Sequence, residues 1–193
     1  MPPPTPMRWP RGATVAEPVA TNPWRFWALF AGLAGLSLFW RMLPMGMGGT
    51  GLPGPDLLAC IVMAWVLRRP DYMPAPLIAG VVLLEDLLLL RPPGLWALMV
   101  LLGAEFLRAR QPGMRELPFA VEWAFVGAVL AAMWVVERLV LALLVVPAPA
   151  LGASLVQLLV TLLAYPLVVL ASHYLLRVRK PATGEVDALG RPL

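Results

Sequence analysis

Thiol and imidazole chemistry have almost nothing to work with in this sequence: Cys60 is its single cysteine and His173 its single histidine. One thiol excludes an intramolecular disulfide and a cysteine-based metal cluster, and Cys60 lies inside an apolar run, where a free cysteine behaves as a small buried hydrophobe. His173 sits between Ser172 and Tyr174 with no second ligand to support a metal, so no metal and no cofactor is expected. Charge is scarce as well. Charged residues make up 13% of the chain and hydrophobic residues 60%, where an ordinary soluble domain carries about 25% charge and about 45–50% apolar residues. With a mean hydropathy of +0.79, this composition predicts an all-α integral membrane protein and leaves no room for a separate soluble core.

The charge that is present has a pattern. A net charge of +4 could suggest nucleic acid, but the arginines stand singly or in pairs at the ends of apolar segments, which is the placement that sets membrane topology. No nucleic-acid partner is expected. Residues 1 to 23 hold Pro2, Pro3, Pro4, Pro6, Pro10, Pro18 and Pro23 and few large aliphatics, so they read as a disordered cytoplasmic tail rather than a cleavable signal. Residues 24 to 176 form the transmembrane domain, and residues 177 to 193 a basic cytoplasmic tail.

Six helices are expected. The first runs over residues 24 to 43, entered through Trp24, Arg25, Phe26 and Trp27, with Ala28, Ala31, Gly32 and Gly35 spaced for close helix approach. A Gly- and Met-rich connection at 44 to 55 leads to a second helix at 56 to 67. Twelve residues span only about 18 Å against a hydrocarbon core of about 30 Å, so this element is expected to be re-entrant, locally thinned around or extended by its flanks. The third runs from Pro74 and Pro76 to Leu90, the fourth covers 95 to 107 before the breaker-rich Gln111, Pro112 and Gly113, the fifth 119 to 146 and the sixth 151 to 176. Arg8, Arg11 and Arg25, then Arg68 and Arg69, then Arg108, Arg110 and Arg115, then Arg177, Arg179, Lys180 and Arg191 occupy alternate connections, which places both termini in the cytoplasm.

With that topology Arg41, Asp56, Glu85, Asp86, Arg91, Glu137 and Arg138 share a layer in the middle-to-outer bilayer, where isolated charge costs roughly 2.5–3.5 kcal/mol. They are expected to face inward and pair as an interhelical network that ties the bundle together or docks a partner. Arg68, Arg69, Arg108 and Arg110 are expected in cytoplasmic basic loops facing partners or anionic lipid, and Glu105 and Arg108, three apart, to pair on one helix face. Catalysis is not expected. Ser37 and Ser154 fall in the outer half and His173 in the inner, so no serine–histidine pair can assemble, and the outer connections at 44 to 55 and 147 to 150 are almost free of reactive groups.

Pro55-Asp56-Leu57-Leu58 opening a short helix that closes with Arg68-Arg69-Pro70, then Gly80, Asp86-Leu87-Leu88, Pro93-Gly94-Leu95 and a helix ending Arg108-Ala109-Arg110, resembles the rod shape-determining protein MreD family over residues 50 to 112. Glu85 beside Asp86, and Leu89-Leu90-Arg91-Pro92 in place of a small glycine-bearing turn, depart from that pattern. The resemblance implies a non-enzymatic component of the bacterial inner membrane that binds MreC and works with MreB, RodA and the elongation transpeptidase in side-wall peptidoglycan synthesis and cell shape. It also implies a six-helix fold similar to the substrate-binding S component of energy-coupling-factor vitamin transporters. In that alternative role Trp40, Asp56, Trp96 and Trp134 would line a ligand cavity open to the outside.

Overall fold

Proline and aspartate set where the helices begin. Proline's fixed φ suits a first helical turn and its missing N–H costs nothing there, and aspartate can accept a hydrogen bond from the free first-turn amides. In a computed structural model, which describes residues 23–42, 53–114 and 117–174, Pro74 and Pro118 occupy the N-cap positions of two helices and Asp56 that of a third. The described residues are helical and lie in one compact unit: α1 (Pro23–Met42), α2 (Leu57–Arg68), α3 (Ala75–Leu88), α4 (Leu95–Met114), α5 (Phe119–Leu143) and α6 (Leu151–Tyr174), with a 3-10 turn at Pro70–Tyr72 between α2 and α3. The two tails, Arg8, Arg11, Arg115, the basic residues from Arg177 onward and most of the connection after α1 lie outside the described residues.

α2 is the axis. It packs on α1, α4 and α6, while α3 pairs with α4 and α5 bridges α4 to α6. Every residue from Leu58 to Arg68 is buried. A helix apolar all round belongs inside a protein, and α2 is enclosed by the other described helices. Trp65, fully buried, packs against Phe30 of α1 and donates from its indole to Ser172 Oγ of α6 at 3.0 Å. α4 packs closely on α5 at Gly103, where an added Cβ would lie 2.6 Å from Met133 Sδ.

The outer faces are also apolar. Leu159, Leu163 and Leu167 form an i, i+4 row on α6 that is 58–67% exposed, with Leu83, Leu87, Leu102 and Leu139 exposed on the helices around it. Two helices, α5 with 25 residues and α6 with 24, are long and apolar enough to cross a membrane. Each spans roughly 36 Å, more than the hydrocarbon core of about 30 Å.

Several boundaries differ from expectation for physical reasons. α4 continues to Met114 instead of stopping near Leu107, because Leu107, Gln111 and Met114 extend one buried stripe that overrides the breaker Pro112 in the last turn. α3 and α5 end early, each in a left-handed residue: Leu90 at φ 53° and Val145 at φ 54°. In both, the amide beyond reaches five residues back, Arg91 N to Asp86 O at 3.0 Å and Val146 N to Leu141 O at 2.9 Å, which is a Schellman closure without the usual glycine. Ala28, Ala31, Gly32 and Gly35 face outward, and a Cβ built at either glycine would meet no neighbouring helix within 4 Å, so these four residues do not mediate packing among the described helices. Phe30, Ala34 and Leu38 form its buried stripe instead.

Left-handed geometry costs an L-residue roughly 1–2 kcal/mol, and Val145 is β-branched and 88% exposed. Val145→Gly is therefore expected to stabilise the fold by about 1 kcal/mol. Thermal unfolding followed by circular dichroism in mild detergent checks this as a rise in Tm of a few degrees.

Candidate functional site

One end of the bundle gathers the C-terminal ends of α1, α3 and α5 with the N-terminal ends of α2, α4 and α6, and its polar side chains divide into a closed part and an open one. The closed part is built on helix starts. Asp56 Oδ1 accepts from Ala59 N at 3.0 Å, capping α2, while its own backbone N–H donates to Thr161 Oγ1 of α6 at 2.9 Å. Asp86 caps a helix that is not its own: from α3 its Oδ2 accepts from Gly94 N and Ala97 N, both at 3.1 Å, filling the two amides that a capping box would satisfy at the start of α4. Gly94, at φ 87°, makes the turn that brings those amides round. Arg41 of α1 joins the start of α2 to the end of α3, hydrogen-bonded through Nη1 to Glu85 and lying 3.7 Å through Nη2 from Asp56 Oδ2. Glu85 and Asp86 are buried, and the side chain of Arg41 is 15% exposed.

The open part is a cavity of about 400 Å3 bordered by Asp56, Arg91, Trp96, Trp134, Glu137 and Arg138, with Ser154, Gln157 and Thr161 supplied by α6. Arg138 is anchored by the connection into α6, donating to Pro149 O at 2.7 Å and to Ser154 Oγ. Its guanidinium lies 5.6 Å from the Trp134 ring centroid, and that of Arg91 lies 5.9 Å from the Trp96 ring. The indole N–H groups of Trp96 and Trp134 are buried without a hydrogen-bond partner among the described residues. The seven charged residues expected to form one network therefore do not: Arg41, Asp56 and Glu85 pair, Asp86 caps α4, and Arg91, Glu137 and Arg138 border the cavity without an ion pair among the described residues. Trp40, expected in such a cavity, is instead 62% exposed on α1.

The opposite end corrects a second expectation. Arg68 is not in a solvated loop. It closes α2, is 5% exposed, donates to Ala64 O at 3.0 Å and pairs with Glu122 Oε1 at 2.9 Å. Tyr165 of α6 donates to the same carboxylate oxygen at 3.0 Å, so a buried Arg68–Glu122–Tyr165 cluster joins α2, α5 and α6. Arg69 caps α2 with its guanidinium 6.0 Å from the Tyr72 ring. Arg108 and Arg110 lie on α4 itself: Arg108 pairs with Glu105 at 2.5 Å, as its spacing suggested, and also reaches Met73 O, while Arg110 stacks 3.6 Å over Phe106. Glu122 went unrecognised in the sequence. Its signal was a lone acid in the first turn of an apolar helix at the level of Arg68.

Chemically the Asp56 end offers caps, ion pairs and a mixed-charge cavity. Among the described residues no group of three or more histidine, cysteine, aspartate or glutamate side chains could hold a metal. No protein-family model, no curated protein and no solved structure matches the chain.

Two variants test the closed part by thermal unfolding in detergent. Asp86→Ala strands two amides at the start of α4 and is expected to cost roughly 2–4 kcal/mol, with Asp86→Asn retaining an acceptor and losing about half as much. Arg41→Met leaves buried Glu85 without its cation, at a cost of about 3–5 kcal/mol, and Arg41→Met with Glu85→Leu recovers most of that loss.

Proposed function

We propose that the chain crosses the bacterial inner membrane six times with both termini in the cytoplasm, and serves as a non-enzymatic, MreD-like component of the elongation complex that binds MreC. The observation carrying this reading is that, in the segment resembling MreD, both aspartates of the motif are helix caps. Asp56 starts α2 and Asp86 starts α4, so Pro55-Asp56-Leu57-Leu58 and the pairing of Asp86-Leu87-Leu88 with Pro93-Gly94-Leu95 have a common physical purpose. Carboxylates held by caps and by Arg41 are set for architecture rather than for proton transfer, which favours assembly over catalysis.

The membrane part of the proposal rests on the apolar outer faces and on α5 and α6, either of which can cross hydrocarbon. α2 crosses inside the protein, where a short helix is tolerated because its neighbours surround it. Arg25, Arg69, Arg108 and Arg110 lie at the same end, which the positive-inside rule assigns to the cytoplasm. MreB, RodA and the elongation transpeptidase are then indirect or direct partners within one assembly.

The second reading, an S component of an energy-coupling-factor transporter, is favoured by the cavity, since Asp56, Trp96 and Trp134 do border one. Affinity purification of tagged full-length protein in mild detergent, followed by mass spectrometry, separates the two. Recovery of MreC with the cell-wall synthases is the expected outcome, and recovery of a transducing ATPase pair without them overturns it in favour of the transporter.

A further inference from the structure

The groups bordering the cavity have an unusual balance. Two are cations, Arg91 and Arg138, and two are anions, Asp56 and Glu137, so the lining is neutral as a whole. Their obligations differ. Asp56 is engaged by Ala59 N and Arg41, and Arg138 by Pro149 O and Ser154. What is left comprises the indole N–H groups of Trp96 and Trp134, the Arg91 guanidinium and the Glu137 carboxylate, which lies within electrostatic reach of both arginines. Trp96 is only 9% exposed, so its lone N–H is a buried donor at the edge of a polar space. Buried donors of this kind are ordinarily satisfied, and one left over at a cavity marks where an acceptor belongs.

The rings themselves are not free. Each tryptophan already has a guanidinium near its ring, so an added cation there would meet like charge, and the unsatisfied groups of the two rings are their indole N–H donors. A simple anion would suit the two N–H groups and Arg91 but would be repelled by Glu137 and Asp56, and a simple cation would meet Arg91 and Arg138. We propose that the cavity binds a zwitterion, its acid group held by the Trp96 and Trp134 N–H groups and Arg91, and its amine held by Glu137. A phosphoethanolamine unit has this chemistry, whether it arrives as the head group of a membrane lipid or as a free polar molecule. The assignment goes beyond the assembly role and does not depend on MreC.

Native mass spectrometry of the full-length protein in mild detergent tests it, with dioctanoyl phosphatidylethanolamine and water-soluble glycerophosphoethanolamine as probes and dioctanoyl phosphatidylglycerol as the amine-free comparator. The expected result is a one-to-one adduct with an ethanolamine probe, at least tenfold tighter than with the comparator. Binding of the lipid alone identifies a head-group site, and binding of both probes a site for a free zwitterion. Trp96→Phe with Trp134→Phe keeps the rings, removes both donors and should weaken binding about tenfold or more, the loss expected from even one hydrogen bond to a charged group. Glu137→Gln should abolish the preference over phosphatidylglycerol. Should the double variant fail to fold, each single tryptophan variant and Glu137→Gln read the same site. No adduct with either probe, equal binding of the comparator, or adducts unchanged in all variants overturns the proposal.

Discussion

A twelve-residue helix surrounded by other helices must have its ends satisfied by protein, because water reaches neither end freely. That constraint on α2 organises the rest of the molecule. At its start the free amides meet Asp56, whose own N–H needs Thr161, which binds α6 to the cap. At its end Arg68 turns back onto Ala64 O and brings a positive charge into the interior, and that charge demands Glu122 from α5 and, through it, Tyr165 from α6. Each polar group introduced to finish the helix has a partner on another element, and the partners tie α1, α5 and α6 to α2.

The same logic makes Arg41 a junction. Asp56 and Glu85 are buried acids on different elements, and one guanidinium from α1 lies between them and pairs with both. Removing Arg41 leaves both acids without their cation, a loss that replacement of the whole set by apolar groups would not incur. In hydrocarbon surroundings the penalty for a broken member rises, because no solvent can enter to replace the lost partner.

The helix count, the approximate starts at 56, 74, 95, 119 and 151 and the shared level of the charged residues were legible because proline, aspartate and apolar period are local signals. What was not legible has a physical reason in each case. Arg68 looked like the head of a basic loop because a pair of arginines beside proline usually is one; only the position of Glu122, fifty-four residues on and on another helix, makes it a buried ion. Leu90 and Val145 carry no mark of left-handed backbone, since neither is glycine or asparagine, and their conformation is imposed by the chain having to turn back. Pro112 carried a strong stop signal that lost to burial of Gln111 and Met114. The spacing of Ala28, Ala31, Gly32 and Gly35 marks a face suited to close approach but says nothing about which side of the helix meets a neighbour.

The two ends of the bundle finish the same task differently, and the difference matters for function. At the Arg68 end the polar groups close on one another: the cation has its carboxylate, the carboxylate its phenol, and Trp65 its serine. At the Asp56 end the caps close but the C-terminal part of α5 does not join them, because Arg138 is drawn away to the connection before α6 and Glu137 is left facing the cavity with Arg91. Were this layer only a means of holding helices together, the shortest solution would be for Glu137 to pair with one of the two arginines beside it. Instead the guanidiniums lie near tryptophan rings, the indole donors are unused, and the cavity remains between them. An arrangement that forgoes an available ion pair leaves its charges open to something outside the chain, and this contrast with the capping network is what the proposed recognition role of the cavity rests on.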